Sequence, residues 1–254
     1  MLYLVGAFLF YIFQEKLIFL DEPLDKDFAF HFDRPFTEEN ILIGDGAVIN
    51  LLHFQAQESK GLIIYFHGNA GNLDRWGQVI APYVDLGYDV AILDYRGYGK
   101  STGERTESNL YADAQSVYDH FKTTISEEKL IIFGRSLGTA MAIHLAANND
   151  PSKLILVTPF YSLQALAQKI APIYPTRLLL RFPFKSYKFI QNVKCPIYFF
   201  QGTADDVVPY EESKKLFNLV EGSRGTFYTI EGGEHNNLVE FDKFRTAMKA
   251  ALEN

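Results

Sequence analysis

The sequence has one cysteine and little clustered positive charge, and each shortage excludes a class of function. Cys195 stands alone among 254 residues, so the chain can form no intrachain disulfide and no metal site built on several cysteines. It opens the apolar run Cys-Pro-Ile-Tyr-Phe-Phe, which is typical of a small buried residue at the start of a strand. The net charge of −7 argues against nucleic-acid binding, which needs clustered Lys and Arg.

A complete nucleotide-binding loop is also missing. The stretch Gly99-Lys100-Ser101-Thr102 resembles the end of a phosphate-binding loop, but that motif requires glycine where the chain has Asp94. The sequence has no Gly-x-Gly-x-x-Gly pattern that opens a helix after a strand. We therefore predict no nucleotide, no cofactor and no metal.

A long apolar run occurs at the amino end. Leu2–Phe13 is uninterruptedly apolar but has no positive n-region and no small-residue cleavage site, so it makes a poor signal peptide. A dozen helical residues span about 18 Å, less than the ~30 Å hydrocarbon core, although the run resumes at Leu17–Leu20. We expect residues 1–20 to attach the protein to a membrane, as a marginal span or an interfacial helix, with the rest in the cytoplasm. A helix packed on the domain is the alternative.

The remainder, residues 21–254, has the composition of one folded domain, with 48% hydrophobic and 22% charged residues in the whole chain. Asn40–Phe54 reads as a hairpin around Gly44-Asp45-Gly46. Short apolar runs then alternate with amphipathic ones, which predicts a doubly wound, mostly parallel α/β sheet with a leading antiparallel hairpin. The predicted strands are Leu62–Phe66, Val90–Leu93, Leu130–Phe133, Leu154–Val157, Pro196–Phe200 and Thr226–Ile230, and the predicted helices are Trp76–Leu86, Leu110–Thr123, Leu137–Ala147, Tyr210–Leu219 and Asn237–Ala250.

One interval breaks this alternation. Residues 159–194, between two predicted strands, contain several prolines, aromatic residues and cations. An insertion of this length in a compact domain is typical of a lid or a binding segment. We therefore predict a small lid at 159–194.

A candidate nucleophile lies at a predicted strand-to-helix junction. Residues 134–138 read Gly-Arg-Ser-Leu-Gly, directly after the strand Leu130–Phe133. In this context the Gly-x-Ser-x-Gly pattern places a serine on a sharp turn, with glycines where larger residues would collide with the backbone. The pattern indicates Ser136 as a nucleophile, and the alternative is a serine that merely caps the helix.

A serine nucleophile needs a base and an orienting carboxylate. Of the six histidines, His235 is the one on a Gly-rich loop after a predicted strand and before the last helix. Asp205 and Asp206 follow another strand, so either carboxylate reaches the same edge of the sheet. A glycine-containing turn at residues 67–72 and the backbone N–H of Leu137 can supply the two donors that stabilise an oxyanion.

These motifs, together with Asp-Tyr-Arg-Gly-Tyr-Gly-Lys-Ser-Thr-Gly at 94–103, resemble the α/β-hydrolase superfamily from about residue 40 to the C-terminus. The combination of His-Gly-Asn-Ala-Gly-Asn with Gly-Arg-Ser-Leu-Gly resembles the small-lidded, membrane-anchored serine hydrolases that include protein depalmitoylases. The resemblance implies an α/β-hydrolase fold. The site residues that it implies are Ser136 as nucleophile, Asp205 rather than Asp206 as orienting acid, His235 as base, and Asn69 and Leu137 as oxyanion donors, with Ala70 a substitute for Asn69.

The resemblance and the motifs predict a serine hydrolase that cleaves carboxylic ester or thioester bonds through an acyl-enzyme. The aromatic 159–194 insertion indicates a small-molecule or lipid-like acyl ester as substrate. A peptidase or amidase of the same fold, and a non-catalytic membrane-associated binding protein, are the alternatives. A binding protein is expected to lack a triad residue or a turn glycine, and this sequence has them all.

Overall fold

Eight strands form one sheet in the computed structural model, which describes residues 1–253 apart from the side chain of Leu2. Residue 254, the end of the predicted domain, lies outside the described residues. The strands run in the spatial order β1-β2-β4-β3-β5-β6-β7-β8. They are β1 (Phe36–Leu42), β2 (Val48–Phe54), β3 (Leu62–Phe66), β4 (Asp89–Leu93), β5 (Leu130–Arg135), β6 (Lys153–Val157), β7 (Ile197–Gly202) and β8 (Gly225–Ile230).

The leading hairpin is antiparallel and the rest of the sheet is parallel, as the sequence predicts. β2 pairs antiparallel with β1 and with β4, whereas the pairs that join β4, β3, β5, β6, β7 and β8 to one another are parallel. β3 is buried along its whole length, which explains its continuously apolar sequence. β1 begins at Phe36, earlier than the predicted start at Asn40, because an edge strand tolerates the polar side chains of residues 37–39.

Nine α-helices occur within residues 1–253. They are α1 (Leu2–Ile18), α2 (Leu73–Val79), α3 (Ala81–Asp85), α4 (Glu107–Lys122), α5 (Gly138–Asn148), α6 (Leu163–Ile170), α7 (Thr176–Leu179), α8 (Tyr210–Phe217) and α9 (Asp242–Glu253). The single helix predicted over Trp76–Leu86 is wrong, because Ile80 separates α2 from α3. Pro82 lies in the first turn of α3, where it lacks the N–H that would bond to the carbonyl of Gln78.

Apolar clusters cover both faces of the sheet. One cluster joins α4, α5, α8 and the 159–194 segment, and includes Leu137, Phe160 and Leu166. The other joins α2, α3 and α9, and includes Trp76 and Phe133. The carboxyl ends of the parallel strands therefore open between two packed layers, where ligands bind in sheets of this kind.

The membrane attachment predicted for residues 1–20 is wrong. Within the described chain, no helix is long and apolar enough to cross a membrane, and α1, with 17 residues, spans about 26 Å. Its polar residue Gln14 is fully buried against the 159–194 segment. The Gln14 amide donates to Leu179 O at 2.9 Å and accepts from Arg181 N at 2.6 Å, so the second half of α1 packs on the domain.

Candidate active site

Ser136 lies on a strained turn between β5 and α5. Its φ of 49° places it in the left-handed region, which non-glycine residues adopt at a cost of roughly 1–2 kcal/mol. The surrounding bonds hold this conformation: Ser136 N donates to Val157 O at 2.9 Å, and Thr139 Oγ1 donates to Ser136 O at 2.6 Å. The side chain is thereby held above the carboxyl edge of the sheet and lines a cavity.

The two glycines of the pentapeptide are required by close packing. A Cβ on Gly134 would lie 2.7 Å from both Ala142 Cβ and Thr139 Cα. A Cβ on Gly138 would overlap Phe66 O and lie 2.7 Å from His67 O. The sharp turn thus exists because α5 starts in contact with the end of β3, where no side chain fits.

His235 and Asp205 meet Ser136 in a continuous series of hydrogen-bonding distances. His235 Nε2 lies 2.9 Å from Ser136 Oγ, and His235 Nδ1 lies 2.9 Å from Asp205 Oδ2. His235 and Asp205 are both buried, whereas Asp206 is exposed. The structure therefore brings Asp205, and not its neighbour, to the histidine.

Gln201 is a member of this network that the sequence did not indicate. Its Nε2 donates to Asp205 Oδ2 at 2.9 Å, while its Oε1 accepts from Ser213 Oγ at 2.6 Å. Asp205 Oδ1 accepts from the backbone N–H groups of Val207 and Val208 at 3.0 and 2.8 Å. Three protein donors, Gln201 and the N–H groups of Val207 and Val208, thus fix the Asp205 carboxyl group beside His235.

The candidate oxyanion donors lie on both sides of Ser136. Asn69, Ala70 and Leu137 line the same cavity, and within residues 1–253 none of their backbone N–H groups donates to a protein acceptor. The Asn69 side chain is held by three hydrogen bonds: Oδ1 accepts from Leu20 N and Tyr98 Oη, and Nδ2 donates to Ile18 O. The backbone N–H of Asn69 is therefore the candidate oxyanion donor of this residue.

A buried pair supports the loop that carries Asn69. His67 and Asp94 are both fully buried, with His67 Nε2 3.3 Å from Asp94 Oδ1. Burial raises the pKa of the Asp94 carboxyl, and the nearby His67 side chain opposes that rise. Tyr95 Oη donates to His67 O at 2.7 Å, so the strand end beneath the loop is fixed by polar contacts.

A cavity of about 670 Å³ extends from Ser136 between α1 and the 159–194 segment. It is lined mainly by apolar side chains, and no Asp or Glu is among the lining residues described in 1–253. α1 supplies part of the wall, which the sequence did not indicate because these residues read as a membrane segment. The principal apolar lining residues are Phe10, Leu17, Ile18, Phe160, Leu163, Leu166, Ala167, Ile170, Leu180, Val207 and Val208.

A cysteine nucleophile and a metal site both have little support among residues 1–253. The Cys195 thiol is half-buried ahead of β7, and burial raises its pKa to about 12, so it stays protonated at neutral pH. In this part of the chain, no group of three or more His, Cys, Asp or Glu side chains is arranged to hold a metal ion.

A serine between β5 and α5, with its histidine after the last strand of a mostly parallel sheet, defines the class of α/β hydrolases. The chain belongs to the family described as "Serine aminopeptidase, S33", whose model matches residues 57–188.

Named relatives extend this match. Protein bem46 of Schizosaccharomyces pombe is 32% identical over 224 residues, covering 85% of this chain and 74% of that protein. The lysophosphatidylserine lipase ABHD12 of Danio rerio is 31% identical over 192 residues, covering 66% of this chain and 49% of the relative. The chain thus spans about half to three quarters of these relatives.

Solved structures confirm the predicted α/β-hydrolase fold. The esterase Pf2001 of Pyrococcus furiosus has a TM-score of 0.71 and 17% identity, covering 92% of this chain and 95% of that one. The alpha/beta hydrolase GrgF from Penicillium sp. sh18 has a TM-score of 0.71 and 15% identity, covering 86% and 97%. At these identities the likeness shows the fold alone.

Proposed function

We propose that the protein is a serine hydrolase that cleaves carboxylic esters or thioesters, with Ser136 as nucleophile, His235 as general base and Asp205 as orienting acid. The observation that carries the proposal is the pair of 2.9 Å contacts that join Ser136 Oγ, His235 and Asp205. A serine hydroxyl is weakly nucleophilic alone, and a histidine at this distance can accept its proton during attack.

The reaction proceeds in two half-reactions. Ser136 Oγ attacks the carbonyl carbon while His235 Nε2 takes the hydroxyl proton, and the Asp205 carboxylate stabilises the imidazolium. His235 then gives the proton to the leaving alcohol or thiol, and an acyl-Ser136 ester remains. Water, deprotonated by His235, attacks this ester; the bond to Ser136 Oγ then breaks, Ser136 Oγ takes the proton back from His235, and the acid is released.

The oxyanion of each tetrahedral intermediate is stabilised by backbone N–H groups of Leu137 and of Asn69 or Ala70. These groups line the cavity and have no protein acceptor within residues 1–253. Each such donor contributes about 3 kcal/mol to transition-state stabilisation.

The apolar cavity favours an acyl chain as the group next to the scissile bond. We also assign residues 159–194 as the lid over this cavity. Leu163, Leu166 and Leu180 of this segment line the cavity. The relative described as a lysophosphatidylserine lipase supports an acyl ester. The resemblance to protein depalmitoylases adds thioesters, which the same mechanism cleaves.

Aminopeptidase activity, which the family description suggests, has less support. An enzyme that binds a free amino terminus needs a carboxylate to pair with the ammonium group. The residues lining the described cavity include no Asp or Glu and include Arg75 and Arg135. The electrostatics of the site therefore favour an uncharged or anionic substrate.

Labelling with a neutral alkyl fluorophosphonate tests the nucleophile. We expect the wild type and Cys195→Ser to be labelled and Ser136→Ala to remain unlabelled, as intact-mass spectrometry would record. Equal labelling of Ser136→Ala would overturn the assignment. Comparing p-nitrophenyl esters of increasing chain length with aminoacyl p-nitroanilides then tests the substrate class, and faster cleavage of the anilides would refute the ester proposal.

A further inference from the structure

Two arginines and a tryptophan form one group at the cavity wall. The guanidinium carbons of Arg75 and Arg135 lie 5.4 and 5.2 Å from the centroid of the Trp76 ring, and all three residues line the cavity. Trp76 in turn packs against Gly68, beside Ser136, since a Cβ on Gly68 would lie 3.1 Å from the Trp76 ring and 3.7 Å from Ser136 Cβ. The two cations are thus held close to the reacting serine.

Both cations lack a carboxylate partner within residues 1–253. Arg34, Arg96, Arg105, Arg181 and Arg245 each form an ion pair, whereas Arg75 and Arg135, like Arg177 and Arg224, form none within these residues. Each of these two makes one long hydrogen bond, from Arg75 to Ala70 O at 3.4 Å and from Arg135 to Asn236 Oδ1 at 3.3 Å. Each guanidinium therefore keeps donors for a ligand.

The arginine group and the apolar part of the cavity pack on different faces of the sheet. Trp76 belongs to the apolar cluster on the α2 and α9 face of the sheet. Phe160, Leu166 and Val208, which line the apolar part of the cavity, belong to the cluster on the other face. The arginines and the apolar side chains thus line different parts of one cavity, which leaves the arginine-lined part for the leaving group of a substrate whose acyl chain enters the apolar part.

We propose that Arg75 and Arg135 form a subsite for an oxyanion, a phosphate or a carboxylate, on the leaving group of the ester. This inference rests on the function proposed above. Two planar guanidinium groups match the oxygens of such an anion, and stacking on Trp76 fixes their orientation. The reaction is unchanged: the ester C–O bond breaks, and the leaving oxygen, still attached to its anionic group, takes the proton from His235 Nε2.

Three lauroyl esters that differ in the leaving group test the subsite: those of glycerol, glycerol 3-phosphate and glycerate. We expect kcat/KM of the wild type to be about tenfold higher for the phosphate ester than for the neutral ester. Arg75→Gln and Arg135→Gln should each lower this ratio by about fivefold or more, and Arg135→Lys should lower it less. Arg245→Gln, on α9, is the matched control and should keep the wild-type ratio.

The preference for the phosphate ester over the glycerol ester should also decrease as salt is added, whereas the rate of hydrolysis of the glycerol ester should stay the same. A higher kcat/KM for the phosphate ester alone would identify phosphate as the anion that the subsite binds. A higher kcat/KM for both anionic esters would show that the subsite accepts either a phosphate or a carboxylate. Equal rates for all three esters, or a preference that persists in both glutamine variants, would overturn the subsite. The rate of labelling by the neutral fluorophosphonate shows whether each variant keeps an intact serine site.

A binding measurement separates failure of the subsite from failure of the proposed function. Calorimetric titration of Ser136→Ala with octyl phosphate and with octyl glucoside needs no catalysis. Tighter binding of octyl phosphate that is lost in Ser136→Ala/Arg75→Gln supports the subsite even if no ester is hydrolysed. Hydrolysis of the glycerol ester combined with equal binding of the two octyl compounds would refute the subsite and leave the proposed function intact.

Discussion

Asp205 and Asp206 are neighbours in sequence but differ in burial and in bonding. Asp205 accepts from Val207 N, Val208 N and Gln201 and contacts His235, whereas Asp206 is exposed. We expect Asp205→Asn to lower kcat roughly ten-thousand-fold, because an amide neither stabilises the imidazolium nor holds the required tautomer. Asp206→Asn should retain the wild-type kcat. Steady-state hydrolysis of one p-nitrophenyl ester measures both, and similar losses in the two variants would contradict the assignment.

Gln201 acts on the reaction through Asp205, as a positioning residue. Gln201→Met keeps most of the side-chain volume but removes the 2.9 Å bond to Asp205 Oδ2. We expect kcat to fall about tenfold, the effect of one charge-assisted hydrogen bond, with a smaller effect on KM. Ser213→Ala leaves that bond in place and should lower kcat less. An unchanged kcat in a Gln201→Met protein with wild-type Tm would show that Asp205 needs no such support.

The turn between β5 and α5 depends on the absence of a side chain at Gly138. Gly138→Ala places a methyl group against Phe66 O and His67 O, so α5 must move away from β3. We expect a destabilisation of about 1–3 kcal/mol and a loss of fluorophosphonate labelling. Gly44→Ala is the control, since a Cβ there meets no atom within 4 Å and Tm should change little. Thermal unfolding of both variants measures the difference, and equal Tm values would argue against close packing at the turn.

The 159–194 segment sets the depth of the cavity in our proposal. Ala167 lines the cavity from α6, whereas Ile173, on the same segment, is exposed and does not line it. Ala167→Trp should fill part of the apolar space and shift the preferred p-nitrophenyl ester toward shorter chains. Ile173→Trp, which adds similar bulk outside the cavity, should keep the wild-type preference. The ratio of kcat/KM for laurate and butyrate esters measures the shift, and an identical ratio in both variants would place the acyl chain elsewhere.

The elements that follow from local sequence were predictable, and those set by distant contacts were not. β3 matches its predicted bounds. The glycines of the pentapeptide, Gly134 and Gly138, are required by the turn in which they lie. The role of α1 depends on bonds from Gln14 to Leu179 and Arg181, more than 160 residues away, which no local pattern reveals. An apolar helix has a similar composition whether lipid or protein covers it, so the composition of residues 1–20 alone predicts a membrane segment.

At the scale of the molecule, the candidate site is assembled from regions far apart in sequence. The cavity wall combines Phe10 of α1, the loop at Asn69, the turn at Ser136, Leu166 of the 159–194 segment and His235. α1 and the loop are joined directly, since the Asn69 side chain bonds to Ile18 O and Leu20 N. A ligand that fills the cavity therefore contacts all of these regions at once.

Covalent occupancy of this cavity should stabilise the whole fold in proportion to chain length. A dodecyl phosphonate on Ser136 would place its alkyl chain between α1 and the lid segment, and each buried methylene contributes about 0.8 kcal/mol. For a domain of this size each kcal/mol raises Tm by roughly 2–4 °C, so we expect the dodecyl adduct to melt at least about 5 °C above the ethyl adduct. Differential scanning calorimetry of the two adducts measures this, with reagent-treated Ser136→Ala as the control. Equal Tm values for both adducts would mean that the chain remains in solvent, and the acyl-binding role of α1 and the lid would then be wrong.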